Sequence, residues 1–427
     1  MPQFKERVPH PEKAKEPPND IDEDSPRKAG LRDRIAHFTW IWFACTMSTG
    51  AVAVCITQTP NRFPGLDTIG VIFYIVDLVL FVTFLAAITT RFIMIPKKFI
   101  ASLHHPVEGL FFGSFWVSVA LILNGMQAYG VPHTGPWLIK ALEVMYWIYC
   151  AVVLLVGIFH YFFFFKDEKL NVANALPAWI FPIYPLLVVG PLAGTLIPSQ
   201  PHTAAYPMWV GAVMLQGLAW TVSLLMYAIY TQRLMVSVLP AAPTRPGMYV
   251  SVGPAGTYIP IAVVRLRLTL TLRSGYTSAG LISLGLQAPL VLSPNTFGTT
   301  DTNVAELVKV LGIMAGIFLL LFAFWFFCVS TLAVVSGLKE MTFTLNWWAF
   351  IFPNGGLTLG AIQMGRAFNS PGVNGICSAL TIMLVVLWLV VAVFNIKALW
   401  QGSILWPGKD EDKDIKGISW GRAANTA

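Results

Sequence analysis

Apolar stretches long enough to cross a bilayer recur along nearly the whole chain. A spanning helix needs about 20 mostly apolar residues, and ten stretches qualify: residues 37–57, 69–91, 109–129, 138–165, 177–197, 206–232, 247–287 (interrupted), 306–336, 346–366 and 376–400. The connections between them are short, which predicts antiparallel hairpins. The predicted fold class is all-α integral membrane, with ten transmembrane helices paired as five hairpins. Residues 1–36 are polar and Pro-rich, with eight Lys/Arg and eight Asp/Glu, the composition of a disordered tail. A second polar tail is read over 401–427, leaving 37–400 as the transmembrane domain.

The stretches alternate in character. The first, third, fifth, seventh and ninth carry small, polar and helix-breaking residues: Thr46, Ser48, Thr49 and Gly50; Ser114, Ser118 and Asn124; Pro177, Pro182, Pro185, Gly190, Pro191 and Gly194; Gly253 and Pro254; Pro353, Asn354, Gly355 and Gly356. Helix breakers at membrane depth are tolerated where protein or a water-filled cavity surrounds the backbone. The even stretches are bulkier, with runs such as Phe162–Phe165 and Leu319–Phe327. The expectation is an inner ring of odd helices inside an outer, lipid-facing ring of even ones. Gly and Pro are common in membrane helices generally, so the inference rests on the alternation and on no single residue.

Composition agrees. The 427 residues are 56% hydrophobic and 11% charged, with a mean hydropathy of +0.66; soluble domains carry roughly 25% charged residues. The net charge of +7 is scattered through loops and forms no block suited to a nucleic-acid backbone. Instead it sorts by side. Arg32, Arg34, Arg91, Lys97, Lys98, Lys166, Lys169, Arg233, Arg245, Lys339 and Lys397 fall on one side, and only Arg62, Lys140, Lys309 and Arg366 on the other. By the positive-inside rule both termini are cytoplasmic, as an even number of spans requires. Cys45, Cys55, Cys150, Cys328 and Cys377 lie in apolar runs without metal spacing. No HExxH, P-loop or nucleophile-elbow context marks an enzyme, and neither metal nor cofactor is expected.

The seventh stretch is anomalous. Residues 247–256 and 276–287 together make one span, but residues 257–275, TYIPIAVVRLRLTLTLRSG, separate them. Arg265, Arg267 and Arg273 lie there in a period-two, strand-like pattern. An arginine at the bilayer centre costs on the order of 3 kcal/mol. An arginine-lined anion filter, a re-entrant or surface loop and a retained intron are the three readings. The intron alone restores a normal helix on removal.

HFTWIWFACTMSTG (37–50), PAWIFPIYPLLVVGPLAG (177–194), RPGMYVSVGPAG (245–256), WWAFIFPNGG (347–356) and WPGKDED (406–412), with HHPVEGLF (104–111) more loosely, resemble the tellurite-resistance/dicarboxylate transporter family. That family includes fungal malic acid transporters, plant guard-cell anion channels and sulfite efflux pumps. The resemblance covers essentially the whole membrane part; residues 257–275 have no counterpart in it. It implies five hairpins about a pseudo-fivefold axis, odd helices lining a central pore, and a homotrimer in the plasma membrane. The implied substrates are C4-dicarboxylates such as malate, succinate and fumarate, with sulfite or another inorganic anion as the alternative.

The family's gating phenylalanine corresponds to Phe352, with Phe350 the runner-up. A ring in a narrow apolar constriction stops ions by dewetting, and Pro353, Gly355 and Gly356 suggest unwound backbone beside it. Thr46, Ser48, Thr49 and Asn354 are candidate donors to an anion, with Gly50, Asn124, Pro182, Gly190 and Gly253 also expected to line the pore. Broken helices add N-terminal N–H groups carrying roughly half a positive charge each; back-bonding of the hydroxyls to their own helix is the competing reading. Glu108 stands where plant members of the family tend to have a basic residue. With His105 it is a candidate proton-coupling pair; the alternative is a carboxylate stabilised at a helix N-terminus. Asp77 and Glu143 lie inside even-numbered stretches.

Overall fold

The computed structural model describes residues 30–166, 172, 175–253, 275–293, 296–298 and 303–405. The expectations for residues 1–29, 257–274 and 406–427 lie outside the described residues. Every regular element among the described residues is helical: α1 (Leu31–Ala36), α2 (Phe43–Gln58), α3 (Leu66–Met94), α4 (Lys97–His104), α5 (Phe112–Gly125), α6 (Pro136–Lys166), α7 (Tyr184–Leu187), α8 (Val189–Leu196), α9 (His202–Val236), α10 (Gly275–Val291), α11 (Val304–Ser336), α12 (Phe352–Phe368) and α13 (Pro371–Trp400), with several 3-10 turns. The polar tail expected over 1–36 gives way to helix at α1, which packs against α3.

Among the described residues, seven helices are long and apolar enough to cross a membrane, and they fall into two burial classes. In α3, α6, α9, α11 and α13 only 22–33% of the most apolar window is buried within the protein. Their outward faces are rows of large apolar side chains: Ile72, Ile75, Val79 and Val82 on α3, and Leu155, Ile158, Phe159 and Phe162 on α6. Such faces are stable only against lipid or another apolar surface. In Trp40–Gln58 the buried share is 94%, and in Gly109–His133 it is 67%. The fifth, seventh and ninth stretches are not single long helices but assemblies of shorter pieces, and they too are largely buried.

Each buried segment opens with a 3-10 turn: Trp40–Trp42, Gly109–Phe111, Pro177–Ile180, Ala242–Val252 and Leu345–Phe350. None of α3, α6, α9, α11 and α13 does so. Proline explains the fifth segment best. Pro182, Pro185 and Pro191 lack an N–H inside the segment that Pro177 opens, so a continuous α-helix there would lose a bond at each of the three. The chain instead uses i→i−3 bonds, Ile183 N–H to the Ile180 carbonyl at 3.0 Å and Leu186 N–H to the Ile183 carbonyl at 3.1 Å. In the ninth segment the unwound part precedes Phe352, whereas Pro353, Gly355 and Gly356 are helical in the first turn of α12. Pro at the first turn of a helix sacrifices no bond, because that N–H has no intrahelical acceptor.

The two halves of the seventh segment meet. The Tyr276 N–H donates to the Gly253 carbonyl at 3.2 Å, so the chain ends flanking the anomalous stretch are adjacent in space.

Candidate functional site

Three buried rings meet where the fifth, seventh and ninth segments converge. Phe352 stacks on Tyr276 with centroids 4.7 Å apart and an interplanar angle of 20°. It also contacts Tyr184 at 5.3 Å, and Tyr184 meets Tyr276 edge-on at 6.2 Å. The row continues through Phe181, 5.6 Å from Tyr184, to Phe111 of the third segment at 4.8 Å. The Tyr276 hydroxyl donates to the Phe352 carbonyl at 3.1 Å, holding the ring's own backbone. Glycines make the approach possible. A Cβ on Gly253 would lie 1.6 Å from the Tyr184 oxygen, and one on Gly356 would lie 2.5 Å from the Tyr276 ring. Gly355 faces Ala51 of the first segment, and the Cys55 thiol lies 3.6 Å from the Gly355 carbonyl.

Phe352 is 1% exposed. Phe350 is only partly buried and points elsewhere, toward Tyr249 at 5.2 Å and Trp347 at 5.8 Å. Tyr249 is hydrogen-bonded in turn to Thr331 of α11 at 2.7 Å. Of the two phenylalanines, Phe352 stands in the meeting point of the buried segments.

The three hydroxyls singled out as candidate donors, Thr46, Ser48 and Thr49, are all engaged. Thr46 donates to the Phe43 carbonyl at 3.0 Å and is 2.8 Å from the Ser118 hydroxyl. Ser48 donates to the Trp348 carbonyl at 2.9 Å, tying the first segment to the ninth. Thr49 donates to the Cys45 carbonyl at 2.8 Å and accepts the Trp388 indole N–H at 2.9 Å, so it faces α13. Gly50 faces Asp77 of α3 and Leu121 of α5. Gly190 N–H donates to Gln216 Oε1 at 3.0 Å, and Gln216 Nε2 donates onward to Thr277 at 3.0 Å. Asn354 Nδ2 donates to the Phe350 carbonyl at 2.9 Å. Asn124 and Pro182 are buried, the latter with its carbonyl toward Gly157 of α6. Two buried polar atoms beside the ring cluster lack partners among the described residues: Tyr184 Oη, a donor, and Asn354 Oδ1, an acceptor. Sequence reasoning missed Tyr184 and Tyr276 as ring partners. Their one signal is a position next to the helix breaks.

These contacts bring together the segments whose sequences carry the family resemblance, and comparison with known proteins agrees. A model of the voltage-dependent anion channel family matches residues 37–396. The chain belongs to the voltage-dependent anion channel family. It is similar to the malic acid transport protein of Schizosaccharomyces pombe, 31% identical over 90% of this chain and 83% of that protein. It is also similar to the sulfite efflux pump SSU1 of Trichophyton rubrum, 27% identical over 86% and 93% of the two chains. An uncharacterized transporter, MJ0762 of Methanocaldococcus jannaschii, is 25% identical over 88% and 98%.

At the opposite end of the buried segments from their last turns, this family member holds an ion pair. Both Arg91 terminal nitrogens face the Glu108 carboxylate, one of them with Nη2 to Oε2 at 3.2 Å, and Arg91 Nη1 also donates to the Phe38 carbonyl at 2.8 Å. The Arg91 and Glu108 side chains are 7% and 11% exposed. His105 Nδ1 accepts the N–H groups of Val107 and Glu108 at 3.1 and 2.9 Å. Burial, and secondarily the nearby Arg91 charge, lower the His105 pKa to about 4. Glu143 pairs within its own helix with Lys140 at 2.8 Å. Asp77 is fully buried, and neither carboxyl oxygen has a hydrogen-bond partner among the described residues.

Proposed function

We propose that the chain carries small anions, C4-dicarboxylates such as malate, succinate and fumarate first among them, through a pore closed by Phe352. The reading takes ten crossings as five hairpins, odd helices lining the pore and even helices facing lipid. The repeated 3-10 opening of the five buried segments and the two burial classes support it. The observation that carries the gate is the Phe352 ring stacked on Tyr276 and touching Tyr184, among backbone made close by Gly253 and Gly356. A buried aromatic plug excludes water and so excludes ions without needing charge. When the ring leaves, Tyr184 Oη is the nearby donor not already engaged within the described residues.

Carboxylate attraction then rests on that hydroxyl and on interrupted helix ends, without lysine or arginine at the plug. A 100 mV potential opposes entry of each negative charge by roughly 2.3 kcal/mol, so dianion uptake needs accompanying protons. We assign that linkage to Glu108 with His105. Neutralising Glu108 would remove its attraction for Arg91 and loosen the tie between α3 and the entrance of the third segment. Assembly as a homotrimer in the plasma membrane, with both termini cytoplasmic, completes the reading.

Efflux of sulfite or another inorganic anion is the second reading, favoured by similarity to sulfite efflux pumps. Radiolabelled malate uptake against pH, with sulfite and chloride as competitors, separates the two. Saturable malate uptake that sulfite does not abolish supports the first; sulfite tolerance without malate uptake overturns it. Unchanged proton stoichiometry in Glu108→Gln would remove that residue from the coupling.

A further inference from the structure

The last turns of the buried segments share a chemistry that the plug does not use. Of nine glutamines in the chain, five fall there: Gln58, Gln127, Gln200, Gln287 and Gln363. They also interlock neighbouring segments. Gln363 Nε2 donates to Gln58 Oε1 at 2.8 Å, joining the ninth segment to the first. Gln127 Oε1 accepts the Ser199 hydroxyl at 3.3 Å, joining third to fifth. Gln287 Nε2 reaches the Gly194 carbonyl at 3.5 Å, joining seventh to fifth.

Three of the cations at this end are paired with carboxylates, Arg62 with Asp67, Lys140 with Glu143 and Lys309 with Glu306, and Arg366 stands apart from them. Arg366, three residues after Gln363 and so on the same face of α12, donates through Nη2 to the Gln58 carbonyl at 3.3 Å. Gln58 is the last residue of α2, and Arg366 lies in the last turn of α12. Two carbonyl-rich helix ends therefore hold the guanidinium in place. No carboxylate among the described residues pairs with it, so most of its five N–H donors remain available. Gln58 uses its side-chain oxygen for the Gln363 bond, which leaves its Nε2 as a second donor beside the guanidinium.

We propose that Arg366 and Gln58 form a carboxylate-docking site at the end of the pore opposite the Arg91–Glu108 pair, where a permeating anion binds before or after passing Phe352. A planar guanidinium beside a fixed carboxamide donor suits the two oxygens of a carboxylate. A trigonal or pyramidal oxyanion such as sulfite shares part of that chemistry; chloride shares only the charge. The proposal rests on the anion-transport reading and goes beyond it in naming the site of capture.

The test uses the full chain in two forms. In proteoliposomes, malate uptake is measured against concentration for wild type, Arg366→Gln and Arg366→Lys. The expected result is a roughly tenfold rise in half-saturation for Arg366→Gln, a tenfold change corresponding to ~1.4 kcal/mol of binding. Maximal rate should stay within about twofold, and Arg366→Lys should recover most of the affinity at low salt. A merely structural role would lower maximal rate and protein yield and leave half-saturation alone, and that result overturns the proposal. In detergent, malate, sulfite and chloride are tested separately for a shift in thermal unfolding temperature. A shift by malate or sulfite that Arg366→Gln abolishes supports the site even if uptake fails, which would sink the transport reading alone. A shift equal in both proteins, or none in wild type, overturns the site.

Discussion

Tyr276 and Phe352 are joined twice: their rings stack at 4.7 Å, and the Tyr276 hydroxyl holds the Phe352 carbonyl at 3.1 Å. Side chain and backbone of one residue are thus fixed by a single partner from another segment. If Phe352 closes the pore as proposed, moving its ring out breaks the stacking, and any shift of its backbone also costs the hydrogen bond.

Phe352→Ala is therefore expected to raise anion flux by about tenfold or more, the effect of removing ~1.4 kcal/mol of barrier. Tyr276→Phe keeps the stacking and loses one hydrogen bond of ~1 kcal/mol, so its flux should fall between wild type and Phe352→Ala. Phe350→Ala should leave flux near wild type, because Phe350 packs on Tyr249 and Trp347. Tracer efflux from proteoliposomes ranks the three.

Gly253 tolerates no side chain. A methyl group there would meet the Tyr184 oxygen at 1.6 Å, whereas one at Gly247 meets nothing within 4 Å. Gly253→Ala should lower thermal stability by the 1–3 kcal/mol or so typical of overpacking, and Gly247→Ala should change it far less. Unfolding of the detergent-solubilised pair makes the comparison.

Deleting residues 257–275 is expected to preserve the fold. Tyr276 would then stand four positions after Gly253, the spacing of an α-helical bond, and those two residues are already hydrogen-bonded at 3.2 Å. The shortened protein should express and unfold like the full chain or better. Aggregation of the deletion variant would count against this closure, and a spliced message containing codons 257–275 would rule out the intron.

Arg91 and Glu108 are buried together, so removing either alone strands a charge. Arg91→Ala or Glu108→Ala should each cost about 3–5 kcal/mol, with the paired change Arg91→Met plus Glu108→Leu recovering much of it. Melting temperatures of the three variants report the result.

His105 gives the fold a pH dependence of definite sign. Burial, and secondarily the Arg91 charge, lower its folded pKa to about 4 from the ordinary histidine value of 6.5. Between these values the unfolded chain binds a proton that the folded chain does not, so the folded state loses stability as pH falls. The contribution is fully present above pH 6.5 and declines down to about pH 4. Asn at this position can still accept a backbone N–H two residues on. His105→Asn should therefore keep stability near neutral pH and show a shallower fall in melting temperature between pH 6.5 and 4.

The chain of apolar lengths, the alternation of small and bulky segments, and the position of Phe352 are all legible in one dimension. Lipid exposure acts on each helix independently, and it leaves a compositional mark on α3, α6, α9, α11 and α13 that needs no partner to read. Pro177, Pro182 and Pro185 likewise announce a broken helix locally, because a missing N–H is a property of the residue itself. Which way an inner side chain points is a different matter. It depends on how far each 3-10 turn rotates the helix that follows, and only packing against the other segments sets that rotation. Hence Thr49, grouped by sequence with the pore, turns toward Trp388, and Tyr184 and Tyr276, far apart in the chain, close on Phe352. Glu108 reads as an isolated acid until α3 brings Arg91 to it. Composition determined that this protein faces lipid; tertiary contact alone decided which of its residues face one another.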